Sequence, residues 1–154
     1  MTISYVSTHK EFLIQEELIS ADIFDDVELA EVIENISNKL IDFHVGNYRF
    51  VKTSELVGVL AEDLKDSGSL GHFNASFLAR HVPHFNVDDI TALQGAMHND
   101  YDESGMHGLI LSLMGNDLTE FAQAYINEDG AGHAFAHYDH KCLEVEDYSY
   151  FRVE

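Results

Sequence analysis

The sequence predicts an α+β fold, a helical body followed by a small C-terminal antiparallel β-meander, in one acidic globular domain over residues 1–154. Three observations predict it. Apolar residues recur at helical spacing through most of the chain up to about Ile126. Beyond the turn cluster Asn127-Glu128-Asp129-Gly130-Ala131-Gly132 the pattern changes to alternation in aromatic-rich runs. A single proline and the lack of any internal repeat leave no linker between domains. The length suffices for a core, and 45% apolar residues with ten Phe and seven Tyr argue against disorder.

The elements follow in order. Thr2 to Val6 alternates as a short strand, and Thr8-His9-Lys10-Glu11 fits a capping box. The helix it opens carries Phe12, Ile14, Leu18 and Ile19 and ends near Ser20. Asp25-Asp26-Val27-Glu28 opens the clearest helix, with Leu29, Val32, Ile33, Ile36 and Leu40 on one face and Gly46-Asn47 as its stop. Tyr48 to Val51 reads as a strand. Thr53 or Ser54 caps a helix that turns Leu56, Val57, Leu60 and Leu64 inward, and Asp66 to Ser69 is a loop. Asn74 caps a short helix closed by Pro83, and Asn86 caps one with Ile90, Leu93 and Met97 inward. Asn99 to Gly105 reads as an acidic loop. Met106 to Leu113 is a helix ended by Gly115-Asn116, and Asp117 begins the last helix. His133 to Tyr138, Lys141 to Val145 and Tyr148 to Val153 are the three strands of the meander.

Charge is the strongest functional signal. Asp and Glu outnumber Lys and Arg by 28 to 8, a formal net charge of −20. Such a charge repels nucleic acid and anionic membranes and attracts basic surfaces. From Glu11 to Asn38 there are nine acids and no Lys or Arg, and from Asp100 to Asp139 eight acids and again no base. Arg49, Lys52, Lys65 and Arg80 fall between these zones. A halophilic origin also produces surface acids in excess, but ten Ile and ten Phe show no thinning of large apolar residues. No apolar run approaches membrane-spanning length. Met1 to Val6 lacks the basic start and apolar stretch of a signal peptide, and Cys142 is alone, so a reducing cytoplasm is expected.

On the Asp25 to Asp42 helix, Glu28, Glu31, Glu34 (or Asn35), Asn38 and Asp42 lie opposite the apolar face. Such a row sets a carboxylate about every 5 Å along the axis. Asp22, Asp25 and Asp26 crowd its N-terminus, where the helix dipole favours them. Acids opposite an apolar stripe are ordinary for an exposed helix. What sets this segment apart is the missing Lys, because solvated helices usually mix signs for i,i+4 pairing. Duplex DNA carries a charge per about 1.7 Å of axis. Several adjacent rows, or one row repeated across a homodimer, come within about a factor of two of that density. Asp100, Asp102 and Glu103 form a second acidic patch.

His133, His137 and His140, with Asp139, offer imidazole and carboxylate within eight residues. A catalytic zinc needs three such ligands and an open position. On a strand, however, His133 and His137 share a face while His140 lies in the turn. Packing and surface roles are therefore preferred, and neither metal nor cofactor is expected. The chain lacks a nucleophile elbow, a phosphate loop and a dinucleotide fingerprint. Cys142 fits a small buried apolar role.

The pattern Asp129-Gly130-Ala131-Gly132-His133, His137-Tyr138-Asp139 and Tyr148-Ser149-Tyr150-Phe151-Arg152 resembles the ends of small phage and mobile-element proteins. Gly71-His72-Phe73-Asn74-Ala75-Ser76-Phe77-Leu78 has the same character. In size and charge the chain is similar to acidic anti-defence proteins, the anti-restriction and anti-CRISPR DNA mimics. The resemblance implies a non-enzymatic inhibitor acting in a host cytoplasm. Its partner would be a nucleic-acid-binding defence complex with a basic groove, with no direct contact to nucleic acid or membrane. Two alternatives stand beside it. One is a metal-dependent hydrolase or nuclease using His133, His137 and Asp139, and the other is a structural or regulatory phage protein.

Overall fold

The computed structural model describes residues 9–100 and 103–154. They form an α+β fold of helices with a small antiparallel sheet. The strand expected at Thr2 to Val6 and the capping residue Thr8 lie outside the described residues. The chain gathers into two compact units, one from residues 1–56 with 129–154 and one from residues 57–128.

The first unit is built on helices α1 (His9–Ala21) and α2 (Asp26–Ser37). In α1 the inward positions are Ile14, Gln15 and Leu18, while Phe12 and Ile19 are exposed. Gln15 is 6% exposed, and its Oε1 has no hydrogen-bond partner among the described residues. The helix α2 opens where the sequence places its start, and a capping box closes that end. The Glu28 N–H donates to Asp25 Oδ1 at 2.8 Å, and the Asp25 N–H donates to Glu28 Oε1 at 3.1 Å. Leu29, Val32, Ile33 and Ile36 bury the inner face.

The helix stops at Ser37, well before the predicted Gly46. Lys39, at φ +59°, makes the turn. Its N–H donates to the Ile36 carbonyl, and the Leu40 N–H donates to the Asn35 carbonyl. This pair of bonds is a Schellman closure with lysine where glycine is usual. Leu40 therefore leaves the apolar stripe and is 42% exposed. Periodicity missed the stop because no glycine or proline marks it.

The chain then enters β1 (Asp42–Val45) and β2 (Tyr48–Lys52). Gly46-Asn47 joins them as a two-residue turn, with Gly46 at φ +58°. The C-terminal hairpin is β3 (Leu143–Val145) and β4 (Tyr148–Arg152), turned at Glu146 with φ +51°. The two hairpins join edge to edge in the order β1-β2-β4-β3, with Phe50 opposite Tyr150. One sheet face carries a rail of rings: Phe43 stacks on Phe50 at 5.0 Å, and Phe50 on Tyr150 at 4.8 Å. That rail packs with Ile14, Leu18 and the apolar face of α2 as the core of this unit.

The predicted strand at His133 to Tyr138 is instead a short helix, α8 (Ala131–Phe135). Phe135 stacks on Phe151 at 4.9 Å and covers the opposite sheet face. Phe135 and Ala136 are both buried, so the apparent alternation is not a strand pattern. Gly132 belongs to this helix and not to a turn. The His140 carbonyl approaches it so closely that a Cβ would collide.

The second unit is helical: α3 (Leu56–Ser67), α4 (Ala75–Ala79), α5 (Val87–Asp100), α6 (Glu103–Leu113) and α7 (Thr119–Asp129). A single 3-10 turn precedes α3, so neither Thr53 nor Ser54 caps it directly. Asn74 caps α4, and Asn86 with Asp89 forms a capping box on α5, both as predicted. Much of the stretch expected as an acidic loop, Asn99 to Gly105, is helical, since α5 runs to Asp100 and α6 starts at Glu103. Gly115 and Asn116, both at positive φ, end α6 where expected. His107 on α6 is 8% exposed and ties the unit together. Its Nδ1 accepts from the Leu70 N–H at 3.1 Å, and its Nε2 lies 2.9 Å from the Lys65 carbonyl. With Nδ1 accepting, Nε2 is placed to donate to the Lys65 carbonyl.

Candidate functional site

The two units divide the acidic excess. The first holds seventeen Asp and Glu against six Lys and Arg, and the second eleven against two. Within the first unit, α1 packs on α2, and the hairpin they form carries the base-free stretch from Glu11 to Asn38.

The predicted row on α2 separates into different roles. Val27, Glu31 and Glu34 are four and three residues apart and share the solvent face. Val27, 77% exposed, stands in that row without charge. Asp22, Asp25 and Asp26 are exposed at the N-terminal end, and Asp25 is also the cap. Glu28 differs from the rest. It is half-buried, it closes the capping box, and its carboxylate lies against Gly46 in the β1–β2 turn. Asp42 has left the helix for β1, where it holds Arg49 in a bidentate pair at 2.8 and 2.7 Å.

Glu16 and Glu17 are also exposed, on α1. Periodicity did not single them out, because the α1 pattern is weak, but the charge run contains them. Asp22, Asp25, Asp26, Glu31, Glu34, Glu16 and Glu17 make seven exposed carboxylates on one helical hairpin. Over the length of α2, about 18 Å, duplex DNA carries about ten phosphates. The hairpin thus reaches a comparable charge density without a second copy of the chain.

The second predicted patch spans the end of α5 and the start of α6. Asp100 ends α5 and Glu103 begins α6, while Asp102 lies outside the described residues.

The histidine cluster rearranges with the change from strand to helix. His133 on α8 and His140 have ring centroids 4.7 Å apart. His137 and Asp139, the other two residues of that cluster, are exposed. Among the described residues no three His, Cys, Asp or Glu side chains are placed to hold a metal ion. Cys142 is exposed, not buried as expected, and the surroundings of its sulfur push the thiol up.

The second unit has a further cluster. His81 meets the Phe121 ring edge-on at 5.3 Å, and with Asp117 and Glu120 it lines a small concavity. Burial holds the imidazole below its ordinary range, helped by the Arg80 charge and opposed by Glu120 and Glu128. Arg80 itself clasps Glu128 at 2.6 and 2.9 Å, and that hydrogen bond holds the carboxyl of Glu128 low. The two Thr119 hydrogen bonds, from side chain and backbone, do the same for Asp117 at the start of α7. No helix among the described residues is long and apolar enough to cross a membrane. No family model matches the chain, and no curated protein or solved structure is significantly similar to it.

Proposed function

We propose that this protein is a non-enzymatic inhibitor of the anti-restriction or anti-CRISPR type. It presents the carboxylates of the α1–α2 hairpin to the basic nucleic-acid groove of a host defence complex. The observation that carries the reading is a folded, exposed helical hairpin with seven carboxylates and no Lys or Arg between Glu11 and Asn38. An ordinary solvated surface would interleave bases there. A groove that binds DNA by neutralising phosphates with Lys and Arg meets a comparable charge density on this hairpin. Inhibition is then competition for the groove, in the cytoplasm of the defended cell, and needs no cofactor.

The test is expression of the protein in cells that restrict an incoming phage through a restriction or CRISPR system. The expected result is recovered plaque formation, lost when Glu31 and Glu34 are both replaced by lysine. In vitro, inhibition should fall steeply as salt rises, because the contact is charge-dominated. Recovery that persists in the double variant, or that ignores salt, would sink the reading.

A further inference from the structure

The first unit contains a concavity with the opposite charge character. In a chain with only eight Lys and Arg, three lysines, Lys10, Lys39 and Lys52, line one depression of about 260 Å³. They arrive from three elements: the first turn of α1, the closure of α2 and the end of β2. Ser37 and Tyr148 complete the polar wall, with Ile14 and Ile36 beneath.

Two carboxylates share this wall, and both have partners. Asp147 accepts from Lys10 Nζ at 3.2 Å, and Glu11 accepts from the Ser37 hydroxyl at 2.9 Å. Burial works against ionisation of Asp147, but the Lys10 hydrogen bond and the charges of Lys10 and Lys52 hold its carboxyl below the usual range. Among the described residues, Lys39 and Lys52 are held in no ion pair. A positive excess therefore remains within the depression, on a protein that is otherwise strongly acidic.

Lys39 adds a second, independent point. It occupies a left-handed backbone conformation that glycine adopts without steric penalty. The helix closure needs no side chain at that position. What the lysine adds there is a third basic side chain lining the depression.

We infer that the Lys10–Lys39–Lys52 depression is a binding site for a small phosphate-bearing anion. Clustered ammonium donors suit a phosphate dianion, and the volume admits the phosphate with a small organic group against Tyr148. None of the seven exposed carboxylates of the acidic hairpin lines this depression, so the site stands apart from the surface proposed above.

The test is an amide NMR titration with inorganic phosphate and, separately, with phenyl phosphate. Saturable shifts of the Lys39, Leu40 and Lys52 amides are expected, with a dissociation constant on the order of 1 mM. Tighter binding of phenyl phosphate would identify a phosphomonoester, and equal binding would identify free phosphate. Lys39→Gly suits the backbone and keeps the closure, so it should fold normally and still bind at least about tenfold more weakly, a loss of about 1.4 kcal/mol. Lys52→Gln serves as the second variant. Linear shifts that never saturate, or binding unchanged in both variants, would overturn the inference.

Discussion

Charge reversal at three glutamates of α2 separates the proposed contact surface from the helix cap. Glu28, Glu31 and Glu34 look alike in sequence, as acids spaced along one helix. In the structure Glu31 and Glu34 face solvent, whereas Glu28 bonds the Asp25 N–H and lies against Gly46. Glu28→Lys removes the reciprocal half of the capping box, a loss of about 1 kcal/mol. It also places an ammonium where the turn at Gly46 leaves little room. For a chain of this size, 1 kcal/mol lowers the melting temperature by about 2–4 °C. Glu31→Lys with Glu34→Lys touches no such contact and should stay within about 0.5 kcal/mol of wild type. In the proposed basic groove, however, the double change turns two attractive contacts into two repulsive ones. At about 1.5 kcal/mol each, the double change costs about 3 kcal/mol, roughly a hundredfold in dissociation constant. Thermal unfolding and phage-plating assays on the same variants read the two effects. If Glu28→Lys melts with wild type while the double variant unfolds early, the assignment of roles is wrong. If the double variant melts normally and inhibits fully, the hairpin is not the contact surface.

Three further outcomes test the fold. Gln15→Met removes the buried Oε1 that lacks a partner and should raise stability by about 1 kcal/mol in denaturant unfolding; a loss would mean the amide is satisfied in solution. His107→Ala leaves the Leu70 N–H and Lys65 carbonyl without the ring and opens a cavity, so it should cost about 3 kcal/mol. An unchanged midpoint would show that His107 does not tie the second unit together. For His81, the folded imidazole is held below its ordinary value of 6.5. The unfolded chain therefore binds the proton first as pH falls, and stability drops from about pH 6.5 downward through the folded value. Denaturant midpoints measured from about pH 7.5 to about pH 5.5 should decline more in wild type than in His81→Gln; equal slopes would remove His81 from the account.

The helices whose signals are local were legible in the sequence. Capping residues such as Asp25, Asn74 and Asn86 act on backbone groups within a turn, and each begins its helix as predicted. The stops were legible where glycine marks them, as at Gly115, and not where Lys39 adopts the left-handed conformation instead. The sheet was legible only in part. Tyr48–Lys52 and Tyr148–Arg152 are recognisable strands, but their pairing spans nearly a hundred residues and leaves no local trace. The α8 segment misled because His, Ala and Phe alternate in size, while its burial is decided by Phe151 on the distant β4.

The site follows the same division. A run of acids without bases is visible in any sequence, and it correctly delimits the hairpin that carries the exposed carboxylates. Which acids are available to a partner depends on tertiary contact. Asp42 turns to Arg49 because α2 stops early, and Glu28 turns to the cap and to Gly46. The lysine depression has no sequence signature at all, since Lys10, Lys39 and Lys52 are spread over more than forty residues. They converge because α1, the closure of α2 and the end of β2 meet in one unit. Net charge thus describes the chain as uniformly acidic, while folding sorts it. Most of the acid on the hairpin stays in solvent, and half the bases of the first unit collect in one depression.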